Sequence, residues 1–223
     1  MKWPLGGLVF VVVLLAVLSA GAADEAIDRL VSKLPPPQKF IDPAINDPLA
    51  KQMSAASKAH NFGVALDLSR HLAERYPKSL GAQMVHGMLA ASLRQFREAS
   101  GAYHKALSIR PDFPAAYIGL GITNASQNRF AAALSDFQQV TRLAPQFDVG
   151  WIGSSACAER LGRARDSLEF ARRATAVAPS SAGAWLQLAR EESAAGNNQA
   201  ATKALARANQ LRRNTPRPNP KQR

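Results

Sequence analysis

Apolar residues recur along most of this chain at the spacing of amphipathic helices. The pattern reads as pairs of helical stretches, each about 13 residues long, separated by short polar or glycine-containing turns. It also repeats as a whole. Pro77, Pro111, Pro145 and Pro179 lie 34 residues apart. The same period runs through four further columns. One reads Ala65, Ala99, Ala133, Ser167, Ala201, and another Leu72, Ala106, Val140, Ala174, Ala208. A third reads Phe62, Phe96, Phe130, Ala164, Asn198, and a fourth Met53, Gly87, Gly121, Ser155, Ala189. Small residues recur where two helices must approach closely, and larger apolar residues where one side chain fills the space between neighbours. The prolines fall just past the second helix of each unit, which they cannot continue. Ser79, Asp112, Asp148 and Ser181 follow within three residues as expected helix caps. Asn61, Asn128, Gly162 and Gly196 mark the turns inside the units.

The expected fold class is therefore all-α: an α-solenoid of about five helix-turn-helix repeats of 34 residues, with units near 46–79, 80–113, 114–147, 148–181 and 182–213. One helix pair cannot bury its apolar face alone, so neighbours must stack into a continuous core. The last helix, about residues 198–212, is expected to turn Ala201, Leu205 and Ala208 inward and Gln199, Lys203, Arg207 and Gln210 outward.

These columns resemble the tetratricopeptide repeat (TPR) family. The third unit carries the pattern best, with Tyr117, Leu120, Gly121, Ala133, Phe137 and Pro145, although Asn124 stands where the family usually has Tyr. The second supplies Gly87, Ala99, Tyr103 and Pro111, and the fourth Trp151, Gly162, Ala174 and Pro179. The fifth has Trp185, Leu188, Gly196, Ala201 and Ala208, but Arg213 where proline is expected. The first unit is degenerate. The resemblance covers roughly residues 46–213 and is specific for fold rather than for function.

The ends differ from the repeats. Lys2, the apolar run Leu5–Leu18 and the small residues of "SAGAA" have the layout of a secretory signal, cut after Ala22 or Ala23. Residues 1–23 are accordingly expected to be a signal peptide or an N-terminal anchor. The repeats would then be exported, periplasmic or secreted, or else anchored in an inner membrane with the repeats outside the cytoplasm. Residues 24–45 read as a linker, with a short amphipathic stretch at Ile27, Leu30, Val31 and Leu34 ahead of Pro35-Pro36-Pro37. Residues 214–223 read as a basic, proline-rich disordered tail.

Candidate chemistry is sparse. The chain has no His-Glu-x-x-His, Gly-x-Ser-x-Gly or Cys-x-x-Cys. Gly119-Leu120-Gly121 lacks the preceding strand of a dinucleotide loop and reads as helix packing. Glu191 and Glu192 are helical neighbours about 100° apart and do not converge. Cys157 is the only cysteine, so no intramolecular disulfide exists, and it reads as buried and inert. His86 stands at a core column, as a pH sensor or a hydrogen-bonded packing residue. No enzyme, cofactor or metal site is expected.

Charge adds a second possibility. The formal net charge is +12. Residues 212–223 carry Arg212, Arg213, Arg217, Lys221 and Arg223 with no acid. Export and the lack of an aromatic-basic platform argue against nucleic acid. Anionic lipid or cell-wall polymer fits the tail better.

The resemblance also implies a partner-binding groove, lined by the second, fifth, ninth, twelfth and thirteenth residues of the first helix of each unit. Here those positions place Met84, Met88, Ile118, Ile122 and Ile152 in the middle units, with Glu159, Arg160 and Arg190 toward the C-terminal end. The Lys, Arg and Asn set that clamps a terminal carboxylate in chaperone-binding members is absent. The expected function is an extracytoplasmic protein-interaction scaffold that takes an apolar or amphipathic partner segment. The alternative is a binder of anionic membrane or wall polymer through the tail. The same apolar residues would instead be covered if they packed on neighbouring helices, or if the 24–45 linker folded over them.

Overall fold

A computed structural model describes residues 42–214. The expected signal or anchor, most of the linker with its amphipathic stretch, and the tail beyond Asn214 lie outside the described residues. Within them, a short 3-10 helix, Pro43–Asn46, precedes ten α-helices. These are α1 (Pro48–Lys58), α2 (Phe62–Arg75), α3 (Leu80–Ser92), α4 (Phe96–Ile109) and α5 (Pro114–Ser126). They continue as α6 (Phe130–Leu143), α7 (Asp148–Arg160), α8 (Ala164–Val177), α9 (Ala182–Ala194) and α10 (Asn198–Asn214). Odd-numbered helices are the first, inner helices of the repeats, and even-numbered ones the second. No strand occurs among the described residues. Two compact units divide the chain, one ending at Gly119 and one beginning at Leu120, so α5 contributes to both.

The turn inside every repeat is built the same way. His60, Arg94, Asn128, Gly162 and Gly196 all have positive φ, between 56° and 78°, and are spaced by the repeat period. Each follows the first helix as a left-handed C-terminal residue. The next residue's N–H then reaches back to a carbonyl five residues earlier: Asn61 to Ala56, Gln95 to Ala90, Arg129 to Asn124, Arg163 to Ala158 and Asn197 to Glu192, at 2.8–2.9 Å. These bonds satisfy carbonyls that the helix end leaves unpaired.

In the first unit the polar cap residues lock the entry of the chain. Asp42, read from sequence as part of the linker, is buried and belongs to the folded body. Its Oδ2 accepts from Ser79 Oγ at 2.6 Å and from the Gly81 N–H at 3.1 Å. Asp47 caps α1 through the Leu49 N–H at 2.8 Å and also accepts from Arg75 and Tyr76, each at 2.9 Å. The Leu49 N–H and these two side chains hold its carboxyl below the usual range, against the opposing pull of burial. Ala44 completes a small core with Leu72, Ala73 and Ala82. Tyr103 of α4 is buried, its ring against the backbones of Gly87 and Gly119.

The second unit repeats that arrangement with Phe137 of α6 against Gly121 and Gly153. Ala133, Leu134 and Cys157 join Phe137 in its core. Trp151 and Trp185 each donate an indole N–H to the carbonyl of the preceding repeat proline, Pro145 and Pro179, at 2.9 Å. The next position in the aromatic column is Ala171, and the packing changes there. Ser155 and Gln187 replace the two glycines, and Gln187 Nε2 donates to Ser155 Oγ at 3.1 Å and to Glu191 Oε1 at 2.7 Å. Ser167 Oγ donates to the Ser155 carbonyl at 2.9 Å. A hydrogen-bonded polar network thus fills the place of a ring between two glycines.

Two local expectations are corrected. Asp148 is the first residue of α7 and does not cap it; the cap position is Phe147, and Asp148 contributes charge to the first turn. Leu205 of α10 is exposed, and the buried residues of that helix are Ala204 and Ala208. Helix α10 is short-sided, so the small residues meet α9 while Leu205 sits on the flank.

Candidate functional site

The inner helices carry the positions that sequence assigns to a partner, and the structure divides them into two groups. On α3, every residue from Leu80 to Ala90 is buried. Met84 is 2% exposed and Met88 6%. Further along, Ile118 of α5 and Ile152 of α7 are half-buried, and Ile122 is 46% exposed. Met88 and Ile122 are both the ninth residue of their helices, so the contrast belongs to the surroundings and not to repeat position.

In the second unit, α7 and α9 pack directly on each other. Ile152 is the fifth residue of α7, and a Cβ built on Gly183 of α9 would lie 3.8 Å from its Cδ1. The fifth residue of α9 is Leu186, 36% exposed. Leu186 was not among the sequence-assigned residues, though extending the fifth-position column by one unit finds it. Beyond this apolar pair, Arg190 of α9 reaches Glu159 of α7 at 4.0 Å, with both side chains open to solvent. Arg160 lies over the Phe130 ring, 4.4 Å from its centre. Apolar side chains flanked by a loose, exposed ion pair can receive an amphipathic segment, whose polar face could engage either charge.

A second constellation sits in the first unit. His86 of α3 has Nδ1 3.1 Å from Ser69 Oγ and Nε2 3.2 Å from Glu98 Oε1. Arg70 clasps the same carboxylate at 2.7 and 3.3 Å. The Arg70 guanidinium holds the Glu98 carboxyl below the usual range. Burial lowers the His86 pKa from its ordinary value, and the facing Glu98 only partly offsets it. Serine, histidine and glutamate in series have the composition of a catalytic triad, but Ser69 and His86 are both buried. Its hydroxyl also donates to the Leu66 carbonyl at 2.7 Å. The cluster is a polar tie between the first two repeats.

Glu191 and Glu192 point to different partners, as their helical spacing requires. Burial raises the pKa of Glu191. Glu192 accepts from Arg172 at 2.9 Å and from Asn197 at 2.7 Å, and these bonds outweigh burial to hold it low. Cys157 is buried, and burial pushes its thiol up to about 11. Among the described residues, no group of three or more His, Cys, Asp or Glu could hold a metal ion, and no helix is long and apolar enough to cross a membrane.

Similar folds occur among solved structures. MamA from Desulfovibrio magneticus RS-1 superposes with a TM-score of 0.65 at 15% identity, over 74% of this chain and 93% of that one. A second MamA structure gives 0.64 at 14% identity, over 72% and 94%. YrrB, a TPR protein with an unusual peptide-binding site, gives 0.57 at 17% identity, over 75% and 86%. This chain has the tetratricopeptide-repeat fold. It is an all-α solenoid of helix-turn-helix repeats, as the columns of the sequence imply. No family model and no curated protein matches the chain. In the TPR fold the five sequence-assigned residues all lie on first helices, and the structure leaves Ile122, Ile152 and Leu186 of the second unit accessible in whole or part.

Proposed function

We propose that this protein is an extracytoplasmic interaction scaffold that binds an amphipathic segment of a protein partner on the inner helices of its second unit. The carrying observation is the solvent exposure of Ile122 and Leu186 at first-helix positions of a TPR fold. A lone exposed leucine is ordinary, but apolar residues repeated at equivalent positions of a repeat array are the usual substance of a binding surface. YrrB, which shares the fold, carries a peptide-binding site, and this supports the reading. The N-terminal pattern of Lys2, apolar run and small residues supports placing the repeats outside the cytoplasm.

The test is a comparative pull-down from the native envelope with the parent protein, a Leu186→Glu variant and a chain ending at Arg213. Loss of the captured partner with Leu186→Glu, at unchanged helical circular dichroism and with binding retained in 0.5 M-range salt, supports the proposal. Capture that survives Leu186→Glu but disappears with the tail or with salt overturns it. That outcome would assign function to the acid-free C-terminal residues as a binder of anionic membrane or wall polymer.

A further inference from the structure

The buried state of α3 needs an explanation that the repeat pattern does not provide. Met84 and Met88 occupy the fifth and ninth positions, which a first helix presents to a partner. They are 2% and 6% exposed, whereas Ile122 at the ninth position of α5 is 46% exposed. Something therefore lies over the inner face of α3.

The entering chain is in the right place to do so. Asp42 is fastened to the first turn of α3 through Ser79 Oγ and the Gly81 N–H. Gly81 is the second residue of α3 and shares its inner face with Met84 and Met88. Those methionines lie about 4.5 and 10 Å further along the axis at the rise of an α-helix. Immediately before Asp42 the sequence carries Ile27, Leu30, Val31 and Leu34 at i, i+3, i+4 and i+7, the pattern of one apolar helical stripe. Pro35-Pro36-Pro37 separates that stripe from the anchor. From Leu34 to Asp42 the chain can extend about 25 Å, at roughly 3.3 Å per residue. That exceeds the length of α3, about 20 Å.

We propose that the stretch bearing Ile27, Leu30, Val31 and Leu34 seats on the inner face of α3 over Met84 and Met88, so that the first unit's binding positions are occupied by the protein's own chain. The occupant is an amphipathic helix on an apolar, methionine-containing face, and flexible methionines accommodate such a helix readily. A partner reaching the first unit would have to displace it, while the second unit stays open. The partner-binding reading rests on α7 and α9, so an experiment read at Met84 and Met88 without any partner fails independently of it.

Methionine oxidation by dilute hydrogen peroxide, followed by peptide mass spectrometry on the full chain, reads the cover directly. In the parent protein Met84 and Met88 should oxidise slowly. In a Leu30→Glu/Val31→Glu variant their rates should rise by about tenfold or more as the cover opens. Met53 on α1, with the helical circular dichroism, should not change and serves as the folding control. Equal rates in parent and variant, whether fast or slow, overturn the proposal. A photo-crosslinker at Val31 gives a second arm that leaves α3 unaltered. It should join the tryptic peptide Ser79–Arg94 within one molecule. Absence of that product, or its appearance only in crosslinked dimers, also overturns the proposal.

Discussion

The ring of Phe137 lies so close to Gly153 that a Cβ there would meet its Cδ1 at 2.5 Å. The same ring would meet a Cβ on Gly121 at 2.9 Å. One repeat earlier, Tyr103 stands in the same relation to Gly87 and Gly119. An aromatic residue on a second helix is thus held between two glycines on successive first helices, and the glycines are required by the ring.

Gly121→Leu should overpack this contact and lower stability by about 1–3 kcal/mol or more. Gly101→Ala on α4 should do the opposite. Nothing lies within 4 Å of a Cβ at Gly101, so relief of glycine's entropic cost in a helix should stabilise by roughly 0.5–1 kcal/mol. Denaturant midpoints of the two variants, read by circular dichroism, should move in opposite directions.

The left-handed turns make a second opposed pair. Gly162 has φ +72° and open space around its Cα, so Gly162→Ala meets no clash and should cost about 1–2 kcal/mol from backbone strain alone. Asn128, at φ 59°, occupies the equivalent position with a side chain, and Asn128→Gly should be neutral or stabilising. A stabilising Gly162→Ala would mean that this turn is not left-handed.

His86 gives stability a pH dependence. Burial depresses its folded pKa below the ordinary value near 6.5, so the unfolded chain takes up the proton first. Its contribution is present above that value and is lost as pH falls from there through the depressed folded pKa. Glu98, Arg70, Lys105 and Glu74 surround it electrostatically. Glu98 stays ionised in this window because Arg70 holds its pKa low. The parent Tm should drop between pH 7.5 and 5.5 by more than that of His86→Leu. Parallel Tm curves would show that His86 does not titrate with unfolding.

Glu191 should act in the reverse sense. Its folded pKa is raised by burial, so ionisation disfavours the fold above the usual carboxylate range, and the deficit disappears as pH falls. Glu191→Gln keeps an acceptor for Gln187 and should raise the denaturant midpoint at pH 7.5 while changing it less at pH 4.5. A lower midpoint at pH 7.5 would show that the charge supports the network.

The repeat was legible because its causes are local and recur. Prolines mark helix ends, Ala65, Ala99 and Ala133 mark helix contacts, and Gly162 and Gly196 mark turns that need positive φ. Arg94 and His60 adopt the same left-handed geometry, but nothing in their residue type announces it. The polar network was harder to see, because Ser155, Gln187 and Glu191 look like surface residues on a helix. The clue was Ala171 in the column of Tyr103 and Phe137, where a missing ring leaves room for longer polar side chains. The candidate site was legible only as a set of positions. A stripe such as Met84–Met88 has the same pattern whether it receives a partner or is covered by its own chain, because covering is a long-range contact.

The two indole-to-proline bonds also have a spectroscopic consequence. Trp151 and Trp185 both belong to the second unit, and the remaining tryptophan, Trp3, precedes the described residues. Intrinsic fluorescence therefore watches one part of the repeat array, while far-ultraviolet dichroism averages over every helix. Melting curves from the two signals coincide only if the array comes apart in a single step, so an unlabelled sample suffices to measure how cooperatively neighbouring repeats are coupled.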